Sequence, residues 1–361
     1  MTDTAAYLYP WDVDGDPAAA RRIAGLGVPE VAVAAVYHDV RAITPFHPEH
    51  RIVTRPAGTY YISERRAPSP YAGSFERAAR ALKDAGLSVT AWVVVTHNET
   101  LAAARPETMV RNAFGDSYPW ALCCANPDMR DYAATVAAEV ASLDCVDRVE
   151  LEACGWYGFD HLSQHDKTGG TPSGSAGWLL DLCFCPSCEQ AFAAAGLDPD
   201  KTRDAVRDAI DGGTPLPDEL DSALGDVRAA LAGEFLRETV TARRHGISKP
   251  VLVQTAPDVR AAGANPGFRP QDLRVADGVV VNCMGGGVAP VAGMPDGLRP
   301  AASLTAVAGS PVVVGGGVRT DLRAQAGALL AAGASGLRFY HAGLARAGDL
   351  AAIREVVAEL G

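Results

Sequence analysis

Two glutamates stand two residues apart in CVDRVELEACGWYGFDHLSQHDK, the stretch from Cys145 to Lys167. Apolar neighbours predict a buried strand here, and alternate residues of a strand point to one face, so Glu150 and Glu152 share a side. A carboxylic acid that ends such a strand beside Trp156 and Tyr157 acquires a raised pKa and can act as a general acid. We therefore predict that Glu152 is catalytic. Glu150 lies deeper in the strand, where it would orient Glu152 or pair with an arginine.

A cysteine cluster is the second group of residues that could do chemistry. The run LCFCPSCEQAF contains Cys183, Cys185 and Cys188. Three thiolates so close together can bind zinc, but a closed structural site needs a fourth ligand. The neighbouring pair Cys123 and Cys124 in LCCANPDMRDY offers one. The alternative is that these cysteines are small buried hydrophobic residues, as free cysteines often are.

Composition limits the class of protein. The 361 residues are 48% hydrophobic, enough for a large core, and carry a net charge of −11 with a pI near 5.2. The negative charge argues against nucleic-acid partners and anionic membrane surfaces. We find neither a membrane span nor a secretory signal pattern, so we expect a cytoplasmic protein without membrane partners. The crowding of cysteines then favours metal binding over disulfides.

The chain alternates short apolar runs with helical patterns, and eight of the runs read as strands. In order they are AAYLYPWDV, EVAVAAVYH, LSVTAWVVVTHNE, CVDRVELEACGW, KPVLVQTA, DGVVVNCMG, SPVVVGGGVRT and SGLRFYHAG. Such continuously apolar strands suit a parallel sheet that is buried on both faces. We predict an α/β fold, a (β/α)8 TIM barrel, as a single domain over residues 1–361 with insertions after strands 2 and 4. An open doubly wound sheet is the alternative, but no glycine fingerprint follows the first strand.

In a barrel of this kind the active site lies at the carboxyl ends of the strands. Polar and aromatic residues follow most of the predicted strands and should line one pocket there. The predicted substrate-binding residues are Trp11, His38, His97, Asn98, Trp156, His165, Lys167, Gln254, Asn282, Arg319, Tyr340 and His341.

Several of these motifs resemble a known family. The Cys-x-Asn-Pro segment with its Arg-x-Tyr, the strand-4 carboxylate and the Cys-x-Cys-x-x-Cys run resemble the zinc-bearing β-galactosidase-type glycoside hydrolases. NPDMRDYAATVAAEVASLDCVDRVELE is also similar to a pattern of glycosidase-like barrels. The resemblance covers residues 118–192. It implies that Glu152 matches the strand-4 catalytic carboxylate, and that Cys123, Cys183, Cys185 and Cys188 match a structural zinc site, with Cys124 the alternative to Cys123.

The chain also departs from this family. Leu151 stands where the family has asparagine before the glutamate, and VVVGGGVRTD stands where it has a nucleophilic glutamate. Glycosidases normally use two carboxylates. The candidates for the second are Asp258, Asp12 and Asp166. We expect an enzyme that hydrolyses a small glycoside, with Trp11, Trp156 and Tyr340 stacking on the sugar and the polar residues binding its hydroxyls.

Three other interpretations stay open. The glycines after the predicted strand 7 resemble the phosphate site of phosphosugar isomerase and aldolase barrels. A barrel without its second carboxylate could bind sugar and not cleave it. His38, His97, Glu152 and His165 could instead hold a catalytic divalent ion. The sequence also leaves open a homo-oligomer, the sugar and the stereochemistry.

Overall fold

Eight parallel strands close into a barrel in the computed structural model. The model describes residues 3–63, 70–159, 167–168, 170, 176–212, 214–242, 249–307 and 321–360. Barrel strands 1 to 8 are Asp3–Leu8, Glu30–Tyr37, Ser88–Val94, Arg148–Glu152, Val251–Thr255, Gly278–Asn282, Ala301–Thr305 and Gly336–Tyr340. Strand 1 pairs with both strand 2 and strand 8, which closes the barrel. The predicted (β/α)8 fold is confirmed.

Strand 2 shows why these segments form a barrel. All eight of its residues, EVAVAAVY, are buried. A strand with both faces covered needs apolar side chains on both, and small or β-branched residues fit tightly between a barrel interior and an outer layer of helices. Strands 1, 3 and 4 follow the same rule, with only their first residues open to solvent.

The prediction for strand 7 was wrong. We expected SPVVVGGGVRT, but the strand that pairs with strands 6 and 8 is Ala301–Thr305, AASLT. This segment is short and made of small residues, so its apolar signal is weaker than that of the following valine run. Pairing on both sides decides which segment becomes the strand. Residues 308–320, which carry the predicted glycine-rich loop and Arg319, lie outside the described part.

Helices surround the barrel. The α-helices are Ala19–Ala24, Ser74–Asp84, Glu99–Ala104, Pro127–Ser142, Ala176–Leu180, Pro186–Ala194, Pro199–Gly212, Asp218–Ala242, Pro270–Leu273, Ala289–Ala292, Leu322–Ala331 and Ala347–Leu360. Short 3-10 turns span Pro10–Asp12, Pro106–Thr108 and Ala342–Leu344. None of the described helices is long and apolar enough to cross a membrane.

Three long connections leave the carboxyl ends of strands 2, 3 and 4. The first contains the hairpin Val40–Ile43 with Ile52–Arg55, and the short strand Gly58–Thr59 paired with strand 2. The second, which we did not predict, contains the hairpin Met109–Arg111 with Ser117–Leu122. The third contains the helices between residues 176 and 212. These connections build the mouth of the barrel above strands 2 to 4.

Candidate active site at the barrel mouth

Glu150 forms a buried ion pair inside the barrel. Its side chain is 0% exposed, and Arg338 Nη1 lies 3.1 Å from its Oε2. Gln254 Nε2 donates a hydrogen bond of 2.8 Å to Oε1, and the Tyr7 hydroxyl donates to the same oxygen. Arg338 also contacts Glu30 Oε1 at 3.2 Å. Glu150 and the predicted binding residue Gln254 are therefore parts of one interior network.

Glu152 is held differently. It is 9% exposed, and the Trp92 indole Nε1 donates a 2.6 Å hydrogen bond to its Oε2. No basic side chain among the described residues forms an ion pair with it. Burial raises its pKa to about 8, since the opposing effect of the Trp92 hydrogen bond is smaller and the charge of Glu150 raises the pKa further. The carboxyl group is therefore mostly protonated at neutral pH and can donate that proton.

Aromatic side chains surround Glu152. Trp92 packs edge-on against Tyr37, with ring centroids 4.7 Å apart. The Tyr37 hydroxyl lies 3.4 Å from that of Tyr340 and 3.1 Å from that of Tyr9. Burial raises the pKa of Tyr37 and raises that of Tyr340 to about 12, and the charge of Glu152 contributes in both cases. The acid therefore faces neutral rings, a setting that suits the apolar faces of a sugar.

His97 and His38 come together at the ends of strands 3 and 2. Their rings stack with centroids 4.2 Å apart. The Tyr157 hydroxyl hydrogen-bonds His97 Nδ1 at 2.7 Å, and Glu99 Oε1 lies 2.9 Å from His97 Nε2. Burial raises the pKa of Tyr157, and the charges of Glu152 and Glu99 raise it further. Tyr157, which binds His97, is therefore electrostatically coupled to Glu152.

Asp12 is buried in the turn that follows strand 1. Its Oδ2 accepts a 2.7 Å hydrogen bond from the backbone N–H of Tyr9, and burial raises its pKa to about 7. A Cβ atom on Gly343 would lie 1.7 Å from this oxygen, so only glycine permits the close approach. Asp12 Oδ1 is buried without a hydrogen-bond partner among the described residues.

His341 and Trp11 pack on the two sides of Tyr9. The Tyr9 ring lies 4.2 Å from that of His341 and 4.6 Å from that of Trp11. His341 Nδ1 accepts a hydrogen bond from the Gly343 backbone N–H at 3.2 Å and lies 4.0 Å from Asp12 Oδ2. Burial lowers the pKa of His341 to about 3, so the imidazole is neutral at physiological pH.

Two predicted binding residues have structural contacts. Asn98 caps the helix Glu99–Ala104, because its Oδ1 accepts a 2.9 Å hydrogen bond from the N–H of Leu101. Trp156 Nε1 donates to the carbonyl of Arg228 at 2.8 Å, which turns the indole toward the long helix Asp218–Ala242. Neither contact was apparent from the sequence, since both depend on neighbours that the fold supplies.

The remaining predicted residues are spread over the loops. Asp258 is exposed in a cleft of about 510 Å³, lined also by Arg260 and Phe268, and neither Glu152 nor its hydrogen-bond partner Trp92 lines that cleft. Asn282 Oδ1 accepts a hydrogen bond of 2.9 Å from a backbone N–H of its own loop. Lys167 is exposed. His165, Asp166 and Arg319 lie outside the described residues.

Four cysteines converge beside the barrel mouth. Cys123 Sγ lies 3.5 Å from Cys188 Sγ and 3.6 Å from Cys185 Sγ, and Cys183 Sγ completes the group. A disulfide would need sulfurs about 2.05 Å apart. Tetrahedral zinc with bonds of about 2.3 Å places its sulfurs about 3.8 Å apart, which these distances fit. Cys124, the alternative fourth ligand, is not part of the cluster.

A buried arginine accompanies the cysteine cluster. Arg228 is 3% exposed, and its guanidinium lies 4.6 Å from the ring of Trp178 and 5.1 Å from that of Trp156. The three guanidinium nitrogens have no hydrogen-bond partner among the described residues. Burial lowers its pKa, and the opposite charges of Asp181 and the nearby cysteines counter that effect.

Comparison with solved structures identifies the fold. The glycoside hydrolase domain of PgaB (BpsB) from Bordetella bronchiseptica matches with a TM-score of 0.66 and 17% identity, over 99% of each chain. Alpha-L-fucosidase isoenzyme 2 from Paenibacillus thiaminolyticus matches with a TM-score of 0.57 and 16% identity, over 100% of this chain. The beta-galactosidase from Marinomonas ef1 matches with a TM-score of 0.59 and 11% identity.

The chain has the barrel fold of glycoside hydrolases. The resemblance seen in the sequence is thereby confirmed at the level of the fold. The chain spans about half of the fucosidase (49%) and 59% of the Marinomonas enzyme. No protein-family model matches the chain, and no curated protein matches it in sequence.

Sequence reasoning missed several members of the site. Trp92 and Tyr37 lie inside predicted strands, where an aromatic residue is indistinguishable from ordinary core. Tyr157 was noted only as a neighbour of Glu152. Glu99 carried a usable signal, because it follows His97 by two residues at the end of strand 3. Recognising Glu99 as a member of the site required the position of His38, which follows the neighbouring strand 2.

Proposed function

We propose that the protein is a glycoside hydrolase-like enzyme that acts on a small glycoside with Glu152 as general acid and base. The observation that carries this proposal is the state of Glu152. It is a buried carboxyl at the carboxyl end of strand 4, held by one indole N–H and without a cation beside it among the described residues, with a pKa of about 8. Hydrolysis of a glycosidic bond needs an acid that is still protonated near neutral pH.

In this mechanism Glu152 protonates the oxygen of the leaving group. The Trp92 N–H fixes one carboxyl oxygen, which leaves the other to carry the proton toward the substrate. The hydroxyl groups of Tyr37, Tyr9 and Tyr340 lie together and would bind hydroxyl groups of the sugar. Once the leaving group departs, the Glu152 carboxylate can accept a proton from the incoming water.

We propose Asp12 as the second carboxylate. Asp258 is less suitable because it lies in an exposed cleft that neither Glu152 nor Trp92 lines. Asp12 is buried, its Oδ2 is fixed by the Tyr9 N–H, and its Oδ1 is left for water or substrate. If Asp12 is a nucleophile, the wild type should release its sugar with retained anomeric configuration, and a 2-deoxy-2-fluoro glycoside should label Asp12 covalently. If Asp12 is a base, the product should have inverted configuration and no covalent label should form.

The cysteine cluster is proposed to hold a structural zinc ion. Cys123 follows the hairpin of the second connection, and the other three lie at the start of the helix Pro186–Ala194. Zinc held by four buried thiolates would tie these two connections together beside the mouth. Its contribution would be to stability, because a site with four protein ligands leaves no position for substrate.

Turnover of a panel of aryl glycosides tests the function. Glu152→Gln keeps the shape of the side chain and removes the acidic proton, so for the sugar that the wild type cleaves we expect a loss of about 100-fold or more in kcat/KM on the glycosides with the poorest leaving groups. Glu107→Gln, a matched change at an exposed glutamate, should leave the rate unchanged. Absence of cleavage of every glycoside by the wild type would overturn the enzymatic proposal in favour of a sugar-binding barrel.

A further inference from the structure

Three side chains at the mouth converge in a way that the proposed acid chemistry does not use. His38 follows strand 2, while His97 and Glu99 follow the adjacent strand 3. Each offers one ligand atom, and these atoms lie within 4.8 Å of one another. Two histidines and a carboxylate so close together form a common ligand set for divalent ions such as Zn²⁺, Co²⁺ and Mn²⁺.

The other polar atom of each of the three residues is held by a neighbour. His38 Nδ1 lies 2.7 Å from the carbonyl oxygen of Asp39, so Nδ1 carries the proton and the lone pair lies on Nε2. His97 Nδ1 is hydrogen-bonded to the Tyr157 hydroxyl at 2.7 Å. Glu99 Oε2 accepts a 3.2 Å hydrogen bond from the Asp39 N–H. Contacts of this kind orient the ligands in metal sites.

We propose that His38, His97 and Glu99 bind a divalent metal ion at the barrel mouth. His97 Nε2 and Glu99 Oε1 lie 2.9 Å apart and share a proton, which the ion would replace. The rings of His38 and His97 are stacked and inclined at 13°, so binding one ion requires a side-chain rotation that turns both Nε2 lone pairs toward one point. Three protein ligands leave coordination positions open for water or for substrate oxygens.

This ion would differ from the one proposed for the cysteine cluster. Four buried thiolates form a closed, soft site, whereas imidazole and carboxylate form a partly open one that accepts harder ions such as Mn²⁺. Tyr37 stacks on His38 at 4.2 Å and Tyr157 binds His97, so one layer of rings connects the ion to the surroundings of Glu152. On the proposed function, the open positions would hold sugar hydroxyls. The binding of the ion does not depend on that function.

Titration with Mn²⁺ of protein loaded with one equivalent of zinc tests the site, with loss of the free-ion electron paramagnetic resonance signal as the readout. One equivalent of zinc fills the tighter cysteine cluster and leaves the proposed site empty, and Mn²⁺ competes poorly for thiolates. We expect one Mn²⁺ per chain, and Glu99→Gln or His97→Gln should weaken its binding by about 100-fold or more. Glu99 is partly exposed, so its substitution should leave the fold intact, as a thermal melt would show.

His47 and His50 provide a matched control. Their rings also stack, 3.6 Å apart and inclined at 14°, but they belong to no ligand cluster among the described residues. His50→Gln should therefore leave Mn²⁺ binding unchanged. The proposal is overturned if the wild type binds no Mn²⁺ at millimolar concentration, or if folded Glu99→Gln binds it as tightly as the wild type. Because no substrate is present, failure here would leave the glycosidase proposal intact, and absence of glycosidase activity would leave this one intact.

Discussion

Glu150 and Glu152 share one face of strand 4, yet in the described part of the chain only Glu150 has a cation beside it. Arg338 lies 3.1 Å from Glu150, whereas Glu152 receives a neutral N–H from Trp92. A charge buried with an opposite charge stays ionised, and a buried carboxyl without one tends to keep its proton. One strand thus supplies both a structural anion and an acid, because the two positions differ in their neighbours.

Stability should depend on pH through Glu152. Its folded pKa of about 8 exceeds the usual value of 4.5, so the folded state binds the proton more tightly than the unfolded state does. The stability that this group contributes is present in full below about pH 4.5 and is lost as pH rises to about 8. Glu152→Gln has no such loss. Urea unfolding at several pH values should show that the free energy of unfolding of Glu152→Gln, relative to that of the wild type, rises by a few kcal/mol between these two pH values.

The way in which this difference in free energy of unfolding varies with pH serves as the control. The gap in free energy of unfolding between Glu152→Gln and the wild type should widen only between the two pKa values and be flat outside them. A gap that does not change with pH would show that Glu152 has an ordinary pKa in the fold.

Breaking the Glu150 ion pair should be costly. Glu150→Gln leaves Arg338, which is 2% exposed, with Glu30 as its remaining acidic contact. Removing one partner of a buried pair typically costs about 3–5 kcal/mol, which urea unfolding would measure. Replacing both partners by apolar residues, Glu150→Leu with Arg338→Met, should cost less than the two single changes together. Additive costs would contradict the pairing.

Cys123 and Cys124 are adjacent and both fully buried, so they form a natural comparison. Only Cys123 lies in the cysteine cluster. Cys123→Ser should lower the zinc content of the purified protein from one ion per chain and lower its Tm, because a structural zinc site contributes directly to folding. Cys124→Ser should retain its zinc. Equal zinc content in the two variants, measured by mass spectrometry, would contradict the assignment.

Arg228 should tune the affinity of the cysteine cluster for zinc. Four thiolates around a divalent ion carry a net negative charge, and the buried guanidinium is a nearby positive charge without a hydrogen-bond partner among the described residues. We expect Arg228→Met to weaken zinc binding by about tenfold in competition with a chelator. Arg237→Met, an exposed position of the same helix, should have no effect. Unchanged or tighter binding in Arg228→Met would exclude this role.

The fold was largely predictable because barrel strands are short apolar runs separated by helical patterns. The prediction of strand 7 failed because it relied on the same signal, and AASLT is less apolar than the valine run that follows it. The apolar pattern of a segment shows whether it can form a buried strand. Pairing with neighbouring strands decides whether it does so.

The candidate site was predictable where position along a strand settles direction, as for Glu150 and Glu152. The site was not predictable where contacts between loops decide which side chains face it. Asn98 looked like a binding residue and caps a helix, while Glu99, its neighbour, faces His97. The choice between Cys123 and Cys124 likewise depends on which side of one loop faces the helix Pro186–Ala194, and spacing does not report this.

The dependence of cleavage rate on the leaving group tests the central claim most directly. A general acid matters most when the departing alcohol is a poor leaving group and little when it is a nitrophenol. For aryl glycosides of the preferred sugar, Glu152→Gln should keep nearly the wild-type kcat/KM on those with the most acidic phenols, because kcat/KM reports the steps up to departure of the phenol. The variant should fall behind by a growing factor as the phenol becomes less acidic. Equal losses across the whole series would show that Glu152 does not donate the proton.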